Sequence, residues 1–291
     1  MSKTETVLAF DFGASSGRAI RAVYDGQNLN YEEIHRFENV PIEKSGHLCW
    51  DVETLLKEIH TAIQKAGTFD SLGFDTWGVD FGLLDADGNL LANPVHYRDA
   101  RTNGKPEQAT ACMPAEELYV HTGNQIMAIN TLFQLLALRE QDPELLQKAE
   151  QILFMPDLFA ALLGAEPVCE RSIASTSQML DPRTGQWSRE VLAAYGLNEN
   201  HFAPSVASGT VTGTLANGAK IIAVAGHDTQ CASAAMPCAE EDAEHTAFLS
   251  CGTWSLLGTE LDVPILTADS CQSGLSNELG ANGKINYLKN I

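Results

Sequence analysis

Continuous and alternating apolar segments predict a small antiparallel sheet at the amino terminus. The segment Thr6–Asp11 is β-branched and apolar and ends on a carboxylate, which is typical of a buried strand. The small residues of Phe12–Gly17 predict a tight turn, and Arg18–Tyr24 follows as the second strand of a hairpin. Leu29–Phe37 has the composition of a third strand.

Helical periodicity begins at Asp51 and returns in the middle of the chain. Apolar residues recur about every 3.6 positions after Asp51 as far as Gly67, which predicts an amphipathic helix. Ser71–Asp75 predicts a strand, and Val79–Leu84 with Leu90–Leu91 predicts a hairpin. Further helices are predicted over Leu132–Glu140, Glu144–Gln151 and Met155–Gly164.

A second strand–turn–strand unit is predicted near the carboxyl end. Lys220–Ala225 predicts a buried strand, and the small residues of Ala232–Ala235 predict a closely packed helix. Thr246–Ser250 and Trp254–Thr259 then repeat the order of the amino-terminal hairpin. This repetition favours an internally duplicated architecture.

An acidic stretch at positions 240–244 is the best candidate for a domain boundary. The chain has 291 residues, which at about 100–200 residues per domain suggests two domains, or one and a fraction. The predicted division is 1–240 and 241–291.

The first candidate site is the turn that follows Asp11, in the string DFGASSGR. Its glycines let the backbone approach a ligand, and its amides, hydroxyls and Arg18 suit a polyphosphate. Asp11 would then hold Mg²⁺ through water, because Mg²⁺ gives up its hydration shell reluctantly. The same string is typical of an ordinary hairpin turn with a capping serine, and alone it does not decide between the two.

Three further strings suggest chemistry, each with a structural alternative. In Gly226–Thr229, Asp228 is placed to act as a general base, or only to cap a helix beside a packed His227. The turn in Ser250–Ser255 suits a second phosphate, or is a plain turn. In the string DTWGVD, the tryptophan beside Gly78 suits a sugar, or belongs to the core.

Composition excludes several classes of protein. The net charge is −20, which excludes nucleic-acid binding through a basic surface, and a hydrophobic share of 44% excludes wholesale disorder. No apolar run reaches about 18 residues, and no export signal is visible in the first 30 residues. The seven cysteines include no C-x-x-C pair, so we expect free, mostly buried thiols in a reducing cytoplasm.

Taken together and in this order, the motifs resemble those of the FGGY carbohydrate kinases, in the actin/Hsp70/hexokinase superfamily. The matching strings are DFGASSGR, EIHRFEN, FDTWGVDFGLLD, YRDARTNG, NTLFQL, LFMPDLF, GHDT, SCGTWSLLG and YLKNI. The resemblance implies an α/β, actin-like (RNase H-like) ATPase fold. It also implies a complete sugar-binding domain over 1–240 and the first strands of a nucleotide-binding domain over 241–291.

The resemblance assigns site residues by position. It implies contacts to ATP at Ala14, Ser15, Ser16, Gly17, Arg18, Thr253 and Asn290. It implies contacts to the sugar at Gly78, His227, Asp228 and Thr229. Asp11 would serve Mg²⁺, and Asp228 would accept the proton of the attacking hydroxyl. The implied reaction is ATP-dependent phosphorylation of L-rhamnulose at its C1 hydroxyl.

Substrate choice and activity carry alternatives. Glycerol kinases have an Arg–Glu pair where this chain has Gly78-Val79, which argues against glycerol and fits a bulkier deoxy-ketose with a methyl end. Other possible substrates are L-fuculose and D-xylulose, and a non-catalytic sugar-binding remnant is a further alternative. Few residues follow Thr246, and they carry roughly three strands without a sustained helical stripe to cover them. We therefore expect a truncated family member that alone is a weak kinase or none.

Overall fold

The computed structural model describes residues 4–238, 242, 245–252 and 254–291. Its strands are β1 Glu5–Phe12, β2 Ser16–Tyr24, β3 Leu29–Glu38, β4 Ile42–Lys44, β5 His47–Cys49, β6 Ser71–Thr76, β7 Phe81–Leu84, β8 Gln151–Phe154, β9 Cys169–Glu170, β10 Leu180–Asp181, β11 Gln186–Trp187, β12 Ser205–Val206, β13 Thr210–Thr214, β14 Lys220–Ala223, β15 Ala247–Cys251, β16 Ser255–Leu261, β17 Ser276–Leu279 and β18 Ile285–Asn290. Its α-helices are α1 Val52–Ala66, α2 Lys105–Cys112, α3 Ala115–Thr122, α4 Thr131–Gln141, α5 Pro143–Lys148, α6 Met155–Leu162, α7 Arg171–Ala174, α8 Arg189–Ala194, α9 Asp228–Ala234 and α10 Ala268–Gln272.

The main sheet brings three strand ends to one edge. Within the described residues it has six strands in the order β13-β14-β6-β1-β2-β3. Strands β1, β6 and β14 are parallel, and Asp11 on β1 is paired in register with Asp75 on β6. Beyond β14, His227 forms an isolated parallel bridge with Thr76. Since parallel strands end at the same edge, these carboxyl ends form one wall of a potential site.

Aromatic packing fixes this sheet against its helices. The ring of Phe12 lies 4.8 Å from that of Phe159 on α6, and Phe10 lies 4.8 Å from Phe74 on β6. Helix α1 begins where expected, because the Asp51 side chain accepts a hydrogen bond from the Thr54 amide at 3.2 Å. The predicted strands β1, β2, β3 and β6 and the helix α1 are confirmed.

A second sheet contacts the helical middle of the chain through β17. Its strands, within the described ranges, are ordered β15-β16-β18-β17, and all of its pairs are antiparallel. The Asn277 amide donates to the Gly123 carbonyl at 2.8 Å, and the Leu279 amide donates to Ser175 Oγ at 2.9 Å. These bonds place β17 against the helical middle of the chain. Four strands and the helix α10 follow Thr246, where roughly three strands and no sustained helix were expected.

Two predictions of secondary structure are wrong in detail. The segment Glu144–Gln151 is not one helix, because α5 ends at Lys148 and Gln151 begins β8. The turn around Asp87-Gly88 forms, but its return is a single bridge between Leu84 and Leu90. Strand β7 pairs instead with β8, because the buried apolar residues of β8 offer a longer partner.

Other expectations concern the boundary, the thiols and the membrane. Glu240, Glu241 and Glu244 of the predicted domain boundary lie outside the described residues. Free thiols are found, as expected, at Cys49, Cys112, Cys169, Cys231, Cys251 and Cys271. Only Cys49 and Cys169 of these are buried, so the expectation that most are buried is wrong. Among the described residues, no helix combines the length and apolarity needed to cross a membrane.

Candidate active site

The first loop, Gly13–Ser15, is held by hydrogen bonds on both sides. The Gly13 amide donates to the Ser16 carbonyl at 2.9 Å. Asn39, which follows β3, donates from its amide to the Ser15 carbonyl at 3.0 Å and from Nδ2 to the Gly13 carbonyl at 2.9 Å. Ala14 and Ser15 are therefore held where they line a cavity. Sequence reasoning did not identify Asn39, because its partners are backbone atoms more than twenty residues away.

The rest of this hairpin has different contacts. Arg18 donates from Nε and Nη2 to Asp11 Oδ2 at 2.8 and 2.5 Å, so each neutralises the other. Gly17 lies under Phe37, and a Cβ there would be only 2.3 Å from the ring. The cavity formed by the described residues is not lined by Ser16, Gly17 or Arg18. Of the predicted ATP contacts over Ala14–Arg18, only Ala14 and Ser15 line the cavity.

The second element of the site is the turn between β14 and α9. A Cβ on Gly226 would be 2.9 Å from Pro156, so this close approach favours glycine. The cap of α9 is His227 rather than Asp228, which is the first helical residue. Asp228 Oδ1 accepts from the Thr229 amide at 2.6 Å. Burial raises the pKa of Asp228, the charge of His227 lowers it, and the Asp11 carboxylate raises it.

His227 links Asp228 to the second sheet through Glu278. Its Nδ1 lies 2.8 Å from Glu278 Oε2, and its Nε2 lies 3.4 Å from Asp228 Oδ1. Burial disfavours the charged imidazole, but the carboxylates of Glu278, Asp228 and Asp75, with Glu278 contributing most, together raise the pKa of His227 to about 9. Gln230 Nε2 also donates to Glu278 Oε2, at 2.7 Å. A positive charge is thus held directly beside the carboxylate of Asp228.

The third element is the loop that joins β15 to β16. Ser250, Gly252 and Trp254 line the cavity, and the Gly252 amide donates to the Trp254 carbonyl at 2.9 Å. Thr253, the predicted ATP contact, lies outside the described residues. Asn290 at the end of β18 lines the same cavity, and its Nδ2 lies 3.7 Å from the Met127 sulfur.

A buried carboxylate supports the wall formed by Trp77, Gly78 and Val79. Oxygen Oδ2 of Asp80 accepts from the indoles of Trp50 and Trp77 at 2.6 and 3.0 Å. Oδ2 also accepts from the Tyr97 amide at 3.1 Å, and Oδ1 accepts from Gln134 Nε2 at 2.8 Å. Burial nevertheless raises the pKa of Asp80 to about 6.

Val79 on this wall adopts a left-handed backbone conformation, with φ of 67°, which is strained for a β-branched residue. The hydroxyl of Thr131 donates to the Val79 carbonyl at 2.6 Å, and the Val79 amide donates to Thr176 Oγ1 at 3.0 Å. Strain of this kind persists only where surrounding contacts impose it.

The three elements and this wall surround one cavity of about 260 Å³. A volume of this size holds a small molecule rather than a single water. The predicted site residues that line it are Ala14, Ser15, Gly78, His227, Asp228, Thr229 and Asn290. Glu278, Tyr97 and Asn124 also line it and were not identified from the sequence. The one signal in the sequence that could have drawn attention to Glu278 was a glutamate within the string SNELG, which forms a strand.

The strand ends bring three carboxyl groups close together, those of Asp11, Asp75 and Asp228. Burial and the charges of Asp11 and Asp228 raise the pKa of Asp75 well above its usual range. In the part of the chain that the structure describes, no three His, Cys, Asp or Glu side chains are grouped so as to hold a metal ion directly.

Comparisons with known proteins agree with this architecture. The profile described as "FGGY family of carbohydrate kinases, N-terminal domain" matches residues 6–234. The chain therefore belongs to the FGGY family and has the actin-like ATPase fold of that family. Among individual proteins, it is 41% identical over 300 residues to a rhamnulokinase from Bacteroides thetaiotaomicron. That alignment covers 99% of this chain and 61% of the relative.

Solved structures show the same fold at low sequence identity. A ligand-bound xylulose kinase from Lactobacillus acidophilus superposes with a TM-score of 0.82 at 16% identity, over 98% of this chain and 59% of that one. A Plasmodium falciparum glycerol kinase with ADP gives a TM-score of 0.77 at 16% identity, over 98% and 61% of the two chains. The chain thus spans about three fifths of these relatives.

Proposed function

We propose that this chain carries the sugar site and the proton acceptor of an ATP-dependent ketose kinase that acts on L-rhamnulose. The observation that carries the proposal is the position of Asp228, which lines one cavity together with the first loop and the β15–β16 loop. Identity of 41% to a rhamnulokinase supports L-rhamnulose as the substrate. The apolar wall at Trp77 and Val79 suits the methyl end of this 6-deoxy sugar.

In the proposed reaction, Asp228 takes the proton of the C1 hydroxyl as the oxygen attacks the γ-phosphorus of ATP. The new O–P bond forms as the bond to the β-phosphate bridging oxygen breaks, and ADP leaves. Charged His227 favours the ionised form of Asp228, which burial opposes. Positioning supplies most of the catalysis in phosphoryl transfer, and a general base adds about 10²–10⁴-fold.

ATP is proposed to lie between the two loops. Ala14 and Ser15 on one side and Asn290 on the other line the cavity and suit this role. Asp11 would hold Mg²⁺ through water, a role that its carboxylate suits because it lies close to the carboxyl groups of Asp75 and Asp228 at the strand ends. When bound, the ion would neutralise charge on the transferring phosphoryl group.

Sugar binding without phosphoryl transfer is the second candidate function. It is favoured by the sheet that carries the β15–β16 loop, because Leu249 and Leu257 are paired across that sheet and are 55% and 46% exposed. A sheet with such an exposed apolar face gives weak support to a nucleotide bound at its end.

Calorimetry and a coupled assay of ADP release separate these candidates. Titration of L-rhamnulose, L-fuculose and D-xylulose, with and without ATP·Mg²⁺, reports binding, and the assay reports transfer. We expect L-rhamnulose to bind most tightly. Binding with ADP release supports the kinase, and binding without it supports the second candidate. A folded chain that binds none of the three ketoses would contradict both.

The variant Asp228→Asn tests the role of the carboxylate. It should retain sugar binding and lose most of the ADP release shown by the unmodified chain. Asp87→Asn, in an exposed turn, is the matched control and should change neither quantity. Unchanged turnover in Asp228→Asn would remove Asp228 from the role of base.

A further inference from the structure

Three buried polar atoms in residues that line the cavity have no hydrogen-bond partner in the described structure. One is Gln125 Oε1, in a partly buried side chain, and the other two are the Tyr97 hydroxyl and Asn124 Oδ1, in side chains that are 4% and 3% exposed. A buried polar group without a partner costs about 1–3 kcal/mol, so each of these atoms favours a ligand that supplies the missing bond.

The other buried tyrosines show that Tyr97 is unusual. The Tyr119 hydroxyl lies 2.7 Å from Ser270 Oγ, and the Tyr195 hydroxyl donates to the Ala109 carbonyl at 3.0 Å. Tyr97 is held in place by its backbone instead, since its amide donates to Asp80 Oδ2 at 3.1 Å. Its ring lies 6.5 Å from the ring of Trp254 in the β15–β16 loop. The hydroxyl is therefore fixed without being used within the protein.

The amide of Asn124 identifies the chemistry of the missing partner. Its Nδ2 donates to the Ser175 carbonyl at 2.8 Å, which fixes the orientation of the amide and leaves Oδ1 as the atom without a partner. A carbonyl oxygen only accepts hydrogen bonds, so its partner must be a donor. A hydroxyl satisfies this condition, whereas a phosphate oxygen does not.

We propose that the Tyr97 hydroxyl and Asn124 Oδ1 bind hydroxyl groups of the sugar and so determine which ketoses the cavity accepts. This inference rests on the proposed function, because it assigns the contacts of the same sugar. The apolar residues Met127 and Ile129 lie on the same cavity wall and offer contact to the carbon chain. Sites that hydrogen-bond a substrate hydroxyl reject analogues that cannot supply it.

Calorimetry with L-rhamnulose on Tyr97→Phe tests the tyrosine, with Tyr195→Phe as the matched control. Loss of the contact should raise the Kd of Tyr97→Phe about 3- to 10-fold. The melting temperature of its ligand-free form should stay unchanged or rise, because the substitution removes an unpaired buried hydroxyl. Tyr195→Phe should show the opposite pattern, a lower melting temperature with an unchanged Kd. A Kd for Tyr97→Phe equal to that of the unmodified chain would overturn the assignment, as would a melting temperature lowered as in Tyr195→Phe.

Asn124→Leu tests the second contact by discrimination between sugars. L-Fuculose differs from L-rhamnulose in the configuration at C4, so a contact to the hydroxyls affects the two sugars differently. The Kd of L-fuculose divided by the Kd of L-rhamnulose should exceed one in the unmodified chain and move towards one in Asn124→Leu. A ratio near one in the unmodified chain, or the same ratio in both proteins, would overturn the specificity role.

The outcomes also separate this inference from the proposed function. If the unmodified chain binds ketoses and both variants bind them equally well, only this inference fails. If the unmodified chain binds none of the ketoses, the proposed function fails and this inference fails with it.

Discussion

At the scale of single residues, the charge of the cavity depends on the pair formed by His227 and Glu278. The pair joins the turn before α9 to β17, at 2.8 Å between Nδ1 and Oε2. It places a cation 3.4 Å from Asp228, whose ionisation burial opposes. The function proposed for Asp228 therefore depends on a residue of the second sheet.

Glu278→Gln should change how stability depends on pH. The folded pKa of His227 is about 9, above the unfolded value of 6.5. The stabilisation from charged His227 is therefore complete below pH 6.5 and is lost as the pH rises through 9. It amounts to about 3 kcal/mol. In the unmodified chain the free energy of unfolding should therefore fall as the pH rises through 9, and in Glu278→Gln most of this fall should disappear.

Urea unfolding between pH 6 and pH 9.5 measures this dependence. Glu260→Gln, which removes a partner of Lys284 on the same sheet, is the control and should retain the fall. The same slope in both variants would show that Glu278 does not raise the pKa of His227.

Asp80→Asn should destabilise the wall beside Gly78. Four N–H groups point at the Asp80 carboxylate, and the amide of asparagine would set its own N–H₂ against at least one of them. We expect the free energy of unfolding at pH 7 to fall by about 1–3 kcal/mol. Chemical denaturation measures the loss, with Asp87→Asn as the exposed control. Equal stability of the two variants would contradict the role of this network.

The pH dependence of Asp80 has the same sign as that of His227 but lies in a lower pH range. Burial raises its pKa to about 6 from 3.8, so the folded state holds this proton more tightly than the unfolded state. Its contribution to stability is therefore greatest below pH 3.8 and is lost as the pH rises to about 6. Asp80→Asn should lack this pH-dependent part of the free energy of unfolding.

Sequence reasoning reached some of these residues and not others. His227 and Asp228 could be predicted because a glycine and a carboxylate follow directly on a buried strand. Glu278 could not be assigned a role, because its partner His227 is 51 positions away and only the packing of β17 brings the two together. Tyr97 and Asn124 were missed because an unsatisfied hydrogen bond is visible only in three dimensions.

At the scale of elements, the first loop depends on close packing between β2 and β3. Gly17 faces Phe37 across the two strands, and the Phe37 ring packs against Phe12 at 5.2 Å. Local composition was sufficient to predict these strands. The sequence did not predict the pairing of β7 with β8, because most of the helical region lies between these two strands along the chain.

Gly17→Ala should destabilise the protein by overpacking. The added Cβ would lie 2.3 Å from Phe37 Cζ, so the ring must move within a filled core. We expect a loss of about 1–3 kcal/mol, seen as a lower melting temperature. Gly252→Ala in the β15–β16 loop is the control, because its nearest neighbour would be 3.8 Å away. Equal melting temperatures for the two variants would show that Phe37 yields without cost.

At the scale of the whole molecule, the second sheet exposes an apolar face although the chain carries a net charge of −20. Leu249 and Leu257 are neighbours on paired strands, and β15 is the edge of this sheet among the described residues. Exposed apolar faces and strand edges favour association between copies, whereas uniform negative charge opposes it. The order of motifs along the chain was enough to predict the family, but the contact of β17 with Gly123 was not visible in it.

We expect the chain to self-associate through this face as its concentration rises. Leu249→Lys combined with Leu257→Lys should shift the protein towards the monomer in sedimentation velocity experiments. Val211→Lys, at a position that is 50% exposed on the edge strand β13, should leave association unchanged. A wild-type chain that stays monomeric at all concentrations would contradict this prediction.

Calorimetric titration of L-rhamnulose into the chain and into Asp228→Asn tests the account most directly. The account predicts saturable binding of one sugar per chain in both proteins, because the walls at Gly78, Trp77 and Tyr97 remain intact. Absence of binding in both proteins, with circular dichroism showing that they are folded, would contradict the existence of a sugar site in this cavity.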